Sequence, residues 1–389
     1  MLAQASALLV YAIATWALVP ARQAVCAWQG DPAAAAPMAL LSILAGVLVM
    51  CVLGVMTVRR WGVSHSGRRL AVSGAPKPGR GGTAPNRHSP WLPAATLLAA
   101  LAAALGTCSV LISAATGCSG LLWLAVFAAT PVRGGLMAWW AVVLLCVVPF
   151  VHVARRRNAP AAQPHVATPA VIPKIVVRKA FHAVAVAMFL PGILIDLPFT
   201  AVACGGALLV LIFVDFHRAV RVPLLGGSLH KYMVQFTDER DAGVLILTHI
   251  YLLIGCAIPM WAALGLQGLG IHMDTSSVVL LAAGGLVSVG IGDSAAAVFG
   301  TLYGSWHWPG SRKTVQGTAA AAVSMFLCIC TWILVALYSG ASFPPAVALA
   351  GGASLAVVIA AIETVCDTSD NLLLPLQWVI HVWLVVQGL

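Results

Sequence analysis

Charge is what this sequence has least of. Only 8% of its 389 residues are Asp, Glu, Lys or Arg, against about 25% in an ordinary soluble domain, while 61% are hydrophobic. That excludes a soluble globular chain, because the apolar residues come in successive stretches of roughly 17–25, each long enough to cross about 30 Å of hydrocarbon. Acidic residues are nearly missing from the first half: of eleven, only Asp31 precedes Asp196. The ten cysteines contain no Cys-x-x-Cys pair and mostly lie inside apolar stretches, so they read as small hydrophobes rather than a disulfide or zinc framework. No Gly-x-x-x-x-Gly-Lys-Ser/Thr loop is present, which excludes a P-loop. No Lys or Arg precedes the apolar run in Met1–Ala21, which argues against a cleaved signal peptide and for a first membrane span retained in the chain. The net charge of +10 does not imply a nucleic-acid partner, since the basic residues sit in loops between apolar spans, where topology and anionic headgroups account for them.

What is present is an all-α, polytopic transmembrane helical bundle of about 10–12 spans. The apolar stretches are 4–20, 36–57, 93–153, 180–197, 199–215, 243–265, 277–299, 315–338, 343–362 and 372–388. The organisation reads as an N-terminal membrane region, 1–154, a basic linker, 155–179, and a motif-bearing membrane domain, 180–389. The loop 59–90 has seven basic and no acidic residues and is rich in Gly, Pro and Ser, a composition that reads as disordered and solvent-exposed. Counting spans in pairs from Lys179 places the segments 216–241, 300–314 and 363–371 on the linker's side. The basic excess marks that side as cytosolic. For the 59–90 loop to share it, 93–153 must hold an even number of spans; two are expected, with room for an interfacial or re-entrant piece. No repeat of fixed period is visible.

The rare charges fall into four clusters. The sharpest begins at Gly292-Asp293-Ser294 and runs through Ala296, Gly300 and Gly304 to Arg312-Lys313-Thr314 and Gly317-Thr318. Asp293, Ala296, Gly300 and Gly304 recur at steps of three or four, one small-residue helix face that a backbone or a ligand can approach closely. Amides at a helix start, a cation and a hydroxyl suit a polyphosphate, and an aspartate nearby suits the accompanying Mg²⁺. Helix packing is the competing explanation of the small residues; the intramembrane Asp293 tips the balance. The second cluster is Arg178-Lys179 with His182 at a span entry, equally readable as interfacial anchors. The third is Asp238-Glu239-Arg240-Asp241 with His249 two to three turns on; a solvated charge run is the commoner reading there. The fourth is Glu363, Asp367 and Asp370, which on a continuing helix share one face and repel unless a cation lies between them.

Taken in order, Arg178-Lys-x-Phe-His182, Asp238–Asp241 running into Leu247-Thr-His-Ile-Tyr, the block from Gly292-Asp293 to Gly317-Thr318, and Asp370-Asn-Leu-Leu-Leu-Pro375 resemble the dolichol kinase family over about 178–376. Nothing in 1–177 carries the likeness. The resemblance implies CTP-dependent phosphorylation of the terminal hydroxyl of dolichol in the endoplasmic reticulum membrane, with the site facing the cytosol. It implies CTP contacts at Gly290, Gly292, Asp293, Ser294, Ala296, Gly300, Gly304, Arg312, Lys313, Thr314, Gly317 and Thr318, and at Arg178, Lys179 and His182. Asp293 with Asp370 or Glu363 would hold Mg²⁺. Asp293, Lys313, Asp241, His249 and Asp370 are the expected catalytic residues, and the alcohol's proton acceptor stays open among Asp241, Glu239, His249 and His182. Two positions depart from the family pattern: Arg312 stands where a lysine is usual, and Gln316 where a glutamate is usual. A kinase of phytol, farnesol or another polyprenol is the alternative, and a membrane CDP-lipid cytidylyltransferase a more distant one. A transporter would show broken internal repeats.

Overall fold

The computed structural model describes residues 32–61, 91–117, 119–157, 174–224, 226–233, 244–366 and 370–386. Among them the chain forms thirteen α-helices and no strand, as hydrocarbon requires when every backbone N–H and C=O must be satisfied within its own segment. Eight helical segments are long and apolar enough to cross a membrane, and counting residues 120–128 and 131–147 as one broken span gives nine. The polytopic helical bundle is therefore as expected. The expected span 4–20 and nearly all of the 59–90 loop lie outside the described residues. The contacts gather into two units, Met1–Phe127 with Val202–Ile250, and Ala128–Ala201 with Tyr251–Leu389.

In the first unit α1 (Ala36–Trp61) packs along α2 (Leu92–Thr116). Gly46 makes the approach possible: a Cβ there would lie 2.3 Å from Cys108 Sγ and 2.8 Å from Ala104 O. Helix α2 starts on Pro93, whose missing N–H costs nothing in a first turn, and ends at Gly117 in the left-handed conformation, φ 72°. The short α3 (Gly120–Ala128) follows, with Trp123 stacked on Phe127 at 4.7 Å. In the stretch 93–153, α2 is long and apolar enough to span by itself, while α3 and α4 (Pro131–Arg157) pass only together, bent by 80°. Helix α6 (Leu197–Ala219) ends in the first unit with a fully buried ion pair, Arg218 Nε to Asp215 Oδ1 at 2.6 Å. Arg218 Nη2 donates to Val244 O at 2.5 Å and Asp215 Oδ2 accepts from Ile246 N at 3.1 Å. The pair so fastens the chain just ahead of α8 (Thr248–Gly268) to the end of α6; α7 (Gly226–Met233) lies in the connection.

In the second unit α5 runs from Lys174 to Ile195. It starts earlier than the expected 180, because the helix draws in Lys174 to Lys179 from the basic linker. The expected span 277–299 is not one regular helix. It consists of α9 (Thr275–Ala282), a π-helical stretch Leu286–Asp293, and α10 (Ser294–Tyr303). A π turn holds one extra residue per hydrogen-bonded loop and re-aims the side chains beyond it. Missing side chains let neighbours press in on this stretch: a Cβ on Gly284 would sit 2.1 Å from the Trp378 ring, and one on Gly292 2.7 Å from Met325 Sδ. Helices α5, α11 (Val315–Tyr338), α12 (Pro345–Val365) and α13 (Asp370–Val386) all pack on it. Trp378, wholly buried, anchors α13 by donating from Nε1 to Leu280 O at 3.0 Å. The π stretch is therefore the centre of the second unit, and Asp293 stands at its end.

Candidate active site

Lys179 and His182 are three apart on α5, so they share a face, and that face meets Asp293. Lys179 Nζ donates to Asp293 Oδ2, and His182 Nε2 lies 3.5 Å from the same oxygen. Asp293 and His182 are buried, and Lys179 nearly so at 11% side-chain exposure. An ionised carboxylate there requires its cation, since stranding either partner of a buried pair costs several kcal/mol. The cluster is not fully bonded. His182 Nε2 and Ser294 Oγ are buried without a hydrogen-bond partner among the described residues, although His182 Nδ1 faces Arg178 O at 3.3 Å. Buried polar groups nearly always have partners, so two such atoms, one 3.5 Å from Asp293 and one on the residue that follows it in the chain, mark a place with hydrogen-bonding capacity to spare.

A second cation and carboxylate meet where α11 begins beside the end of α12. Lys313 Nζ donates to Glu363 Oε1 at 2.7 Å, to Cys366 O at 2.8 Å and to Glu363 O. A lysine on the last carbonyls of a helix satisfies orphan acceptors and complements the negative end of the helix dipole. This corrects the reading of Glu363, Asp367 and Asp370 as one acidic helix face. Helix α12 stops at Val365, Cys366 is extended (φ −92°, ψ 114°), and Glu363 turns to Lys313. Asp367 lies outside the described residues. Asp370 opens α13, and its Oδ1 accepts from Asn371 N at 2.9 Å.

The small-residue face of α10 meets the protein itself. A Cβ on Gly304 would lie 2.6 Å from Thr314 Cγ2, and one on Gly317 2.7 Å from Ala296 O. Gly300 faces Thr314 Oγ1, and Gly290 faces Val186. The close approach is therefore that of α11 to α10. Thr314 caps α11, its hydroxyl accepting from Gly317 N at 3.2 Å, and Thr318 Oγ1 contacts Thr364 Oγ1 at 2.7 Å. Between the two helices the chain makes a tight hairpin: Trp308 N donates to Lys313 O at 3.0 Å, Val315 N to Trp306 O at 2.8 Å, and Gly310 turns through φ 70°. Gln316 closes it, accepting from Ser305 N at 3.3 Å and Trp306 N at 3.2 Å and donating from Nε2 to Ser305 Oγ at 2.6 Å. Arg312 is exposed on this hairpin.

The remaining expected residues are placed elsewhere or not described. His249 belongs to the first unit, and Asp238, Glu239 and Asp241 lie outside the described residues. Among the described residues no three His, Cys, Asp or Glu side chains converge closely enough to hold a metal ion by themselves. Magnesium does not need such a cage, since it is bound through one or two carboxylates together with substrate phosphates. Asp293, with one oxygen on Lys179 and the unbonded Ser294 hydroxyl beside it, fits a cation shared with a phosphate. The π stretch and the Lys179–Asp293 pair were not anticipated. The glycines at 284, 285, 290 and 292 were the available signal for the first.

Fold and site together define a multi-pass helical membrane protein that gathers lysines, a histidine and three carboxylates around a π-helical turn. The comparisons with known proteins place it more narrowly. Residues 93–324 match the family described as dolichol kinase, and the chain belongs to that family. The match begins well ahead of Arg178, where the residue-by-residue likeness starts. The chain is 35% identical to dolichol kinase of Homo sapiens over 268 residues, 67% of this chain and 47% of that protein. It is 32% identical to dolichol kinase sec59 of Schizosaccharomyces pombe over 248 residues, 63% and 46% of the two. Against dolichol kinase EVAN of Arabidopsis thaliana the identity is 32% over 242 residues, 61% and 38%. The chain thus spans about half the length of the curated relatives it matches or less. No solved structure matches it.

Proposed function

We propose that this protein transfers the γ-phosphoryl group of CTP to the terminal hydroxyl of dolichol, giving dolichyl phosphate and CDP, in the endoplasmic reticulum membrane with the site open to the cytosol. Family membership supports the reaction. The observation that carries it to particular residues is the Lys179, His182 and Asp293 cluster with its two unbonded polar atoms. Phosphoryl transfer asks a protein mainly for positioning and charge neutralisation. Lys179 and Lys313 each hold a buried carboxylate, and a polyphosphate takes the lysines while leaving Asp293 and Glu363 free. Asp293, with Glu363 or Asp370, would hold Mg²⁺, which on binding neutralises charge building on the phosphate oxygens. Each carboxylate so exchanges one cation for another, and no buried charge is stranded. Arg178 and Arg312 add positive charge for the leaving diphosphate.

We assign the alcohol's proton to His182. Its Nδ1 lies 3.3 Å from the Arg178 carbonyl, and a ring that donates there carries its lone pair on Nε2. Asp293 beside Nε2 stabilises the imidazolium once formed. The test is to incubate membranes containing the protein with CTP labelled in the γ position and a panel of dolichol, polyprenol, farnesol and phytol. Label in dolichyl phosphate with release of CDP is expected. Label in no lipid, or pyrophosphate with a CDP-lipid in its place, overturns the reading.

A further inference from the structure

The second unit contains a cavity of about 840 Å³ bounded by α5, α9, α11, α12 and α13, within the range of small-molecule sites. Its wall is apolar: Trp332 and Phe343 lie parallel with ring centroids 6.0 Å apart, and Ala336, Leu355 and Val382 complete it. Val347, 64% exposed, marks where the wall reaches the surface. At the rim Asp274 and Ser277 are engaged with each other, Asp274 accepting from Ser277 N at 3.0 Å and from Ser277 Oγ at 2.5 Å. The cavity therefore suits hydrocarbon and offers little to a headgroup.

Its position is informative. Four of these helices carry the charged site at one end and the cavity at the other: Lys179 against Leu194 on α5, Thr314 against Ala336 on α11, Glu363 against Val347 on α12, and Asp370 against Val385 on α13. Twenty-two residues separate Thr314 from Ala336, about 33 Å at the helical rise, which is about the thickness of the hydrocarbon core. The near wall, at Leu355, is eight residues from Glu363, about 12 Å, so a short alcohol reaches the edge of the cavity but not its far end. A molecule with one hydroxyl and a long apolar chain reaches both.

We propose that the cavity holds isoprene units partway along the acceptor alcohol, at the distance from its hydroxyl that separates the two places, and makes the enzyme favour long chains over short ones. This rests on the kinase reading. Gly351 gives access for a test, because a Cβ there meets only Val385 Cγ1, at an unstrained 3.7 Å, so a larger side chain grows into the cavity. In the full chain in lipid nanodiscs, Gly351→Leu and Ala348→Phe are expected to lower kcat/KM for dolichol about tenfold, the effect of losing one hydrocarbon increment from an apolar pocket, and to leave farnesol unchanged. Equal loss on both alcohols, or no loss on either, overturns the proposal. A second measurement does not depend on turnover: a long polyprenol with a photoreactive group on the isoprene unit that lies about 33 Å from its hydroxyl is expected to label residues of α11 and α12 at the cavity, with the label lost in Gly351→Leu. Label elsewhere, or equal labelling by a photoreactive phospholipid, assigns the cavity to a bilayer lipid and overturns it. A wild-type chain that phosphorylates neither alcohol while the photoprobe labels the cavity refutes the kinase reading alone.

Discussion

Two buried cation–carboxylate pairs, one in each unit, differ in how completely they are bonded. In the first, Arg218 and Asp215 are each 1% exposed, and between them they also take Val244 O, Ile246 N and a contact from Arg218 Nη1 to His230 Nδ1 at 3.3 Å. The pair is used up in holding backbone. In the second, Lys179 and Asp293 are nearly as buried, yet His182 Nε2 and Ser294 Oγ beside them are unbonded. Burial alone does not separate architecture from chemistry here. The difference lies in what is left over: a saturated pair has nothing to give a ligand, and an unsaturated one has.

Substitutions break the comparison in opposite ways. The largest effect is expected from Arg218→Met, which leaves Asp215 charged and buried and frees the Val244 carbonyl. It is expected to destabilise the protein by about 3–5 kcal/mol, read as a lowered thermal unfolding midpoint in detergent and loss from membranes. Asp293→Asn is expected to keep the protein in membranes and to lower kinase turnover about 10²–10³-fold, the scale of removing one group that stabilises developing charge. Full activity in that variant removes Asp293 from the reaction. The two pairs also diverge when both partners are made apolar. Lys179→Met with Asp293→Leu is expected to recover the stability lost by Lys179→Met alone, because no backbone group depends on that pair. Arg218→Met with Asp215→Leu is expected to stay about 1–3 kcal/mol below wild type, since Val244 O and Ile246 N remain buried without partners. Equal recovery in both double variants erases the distinction.

The spans were legible because a run of about 20 apolar residues with almost no charge has one structural solution in a bilayer. Lys179 and Asp293 were legible singly, as rare charges beside apolar helices, but not as a pair, since 114 residues separate them and pairing is decided by packing around the π stretch. The small residues at Ala296, Gly300 and Gly304 were read for the close approach of a backbone or a ligand. Spacing records only that something approaches closely, and in the structure that neighbour is Thr314 with the start of α11. The acidic run was misread because i, i+4 reasoning holds only while a helix continues. Here α12 ends at Val365, and its last carbonyls draw in Lys313.

The smallest expected effect sharpens the comparison at one residue. Gln316 stands where the family resemblance leads one to expect glutamate. It is used as Arg218 is, with its oxygen on Ser305 N and Trp306 N and its nitrogen on Ser305 Oγ. A carboxylate at this position keeps both backbone contacts and accepts from the serine hydroxyl in place of donating to it. Gln316→Glu is therefore expected to change stability by less than about 1 kcal/mol, the net worth of one exposed hydrogen bond, and turnover by less than about threefold. Gln316→Ala releases both amides, loosens the hairpin that carries Arg312, and is expected to raise KM for CTP more than it lowers kcat, because Arg312 then loses its fixed place. If Gln316→Glu instead raises turnover about tenfold or more, a charge at this position belongs to the chemistry, and Gln316 moves from the saturated class of residue to the functional one.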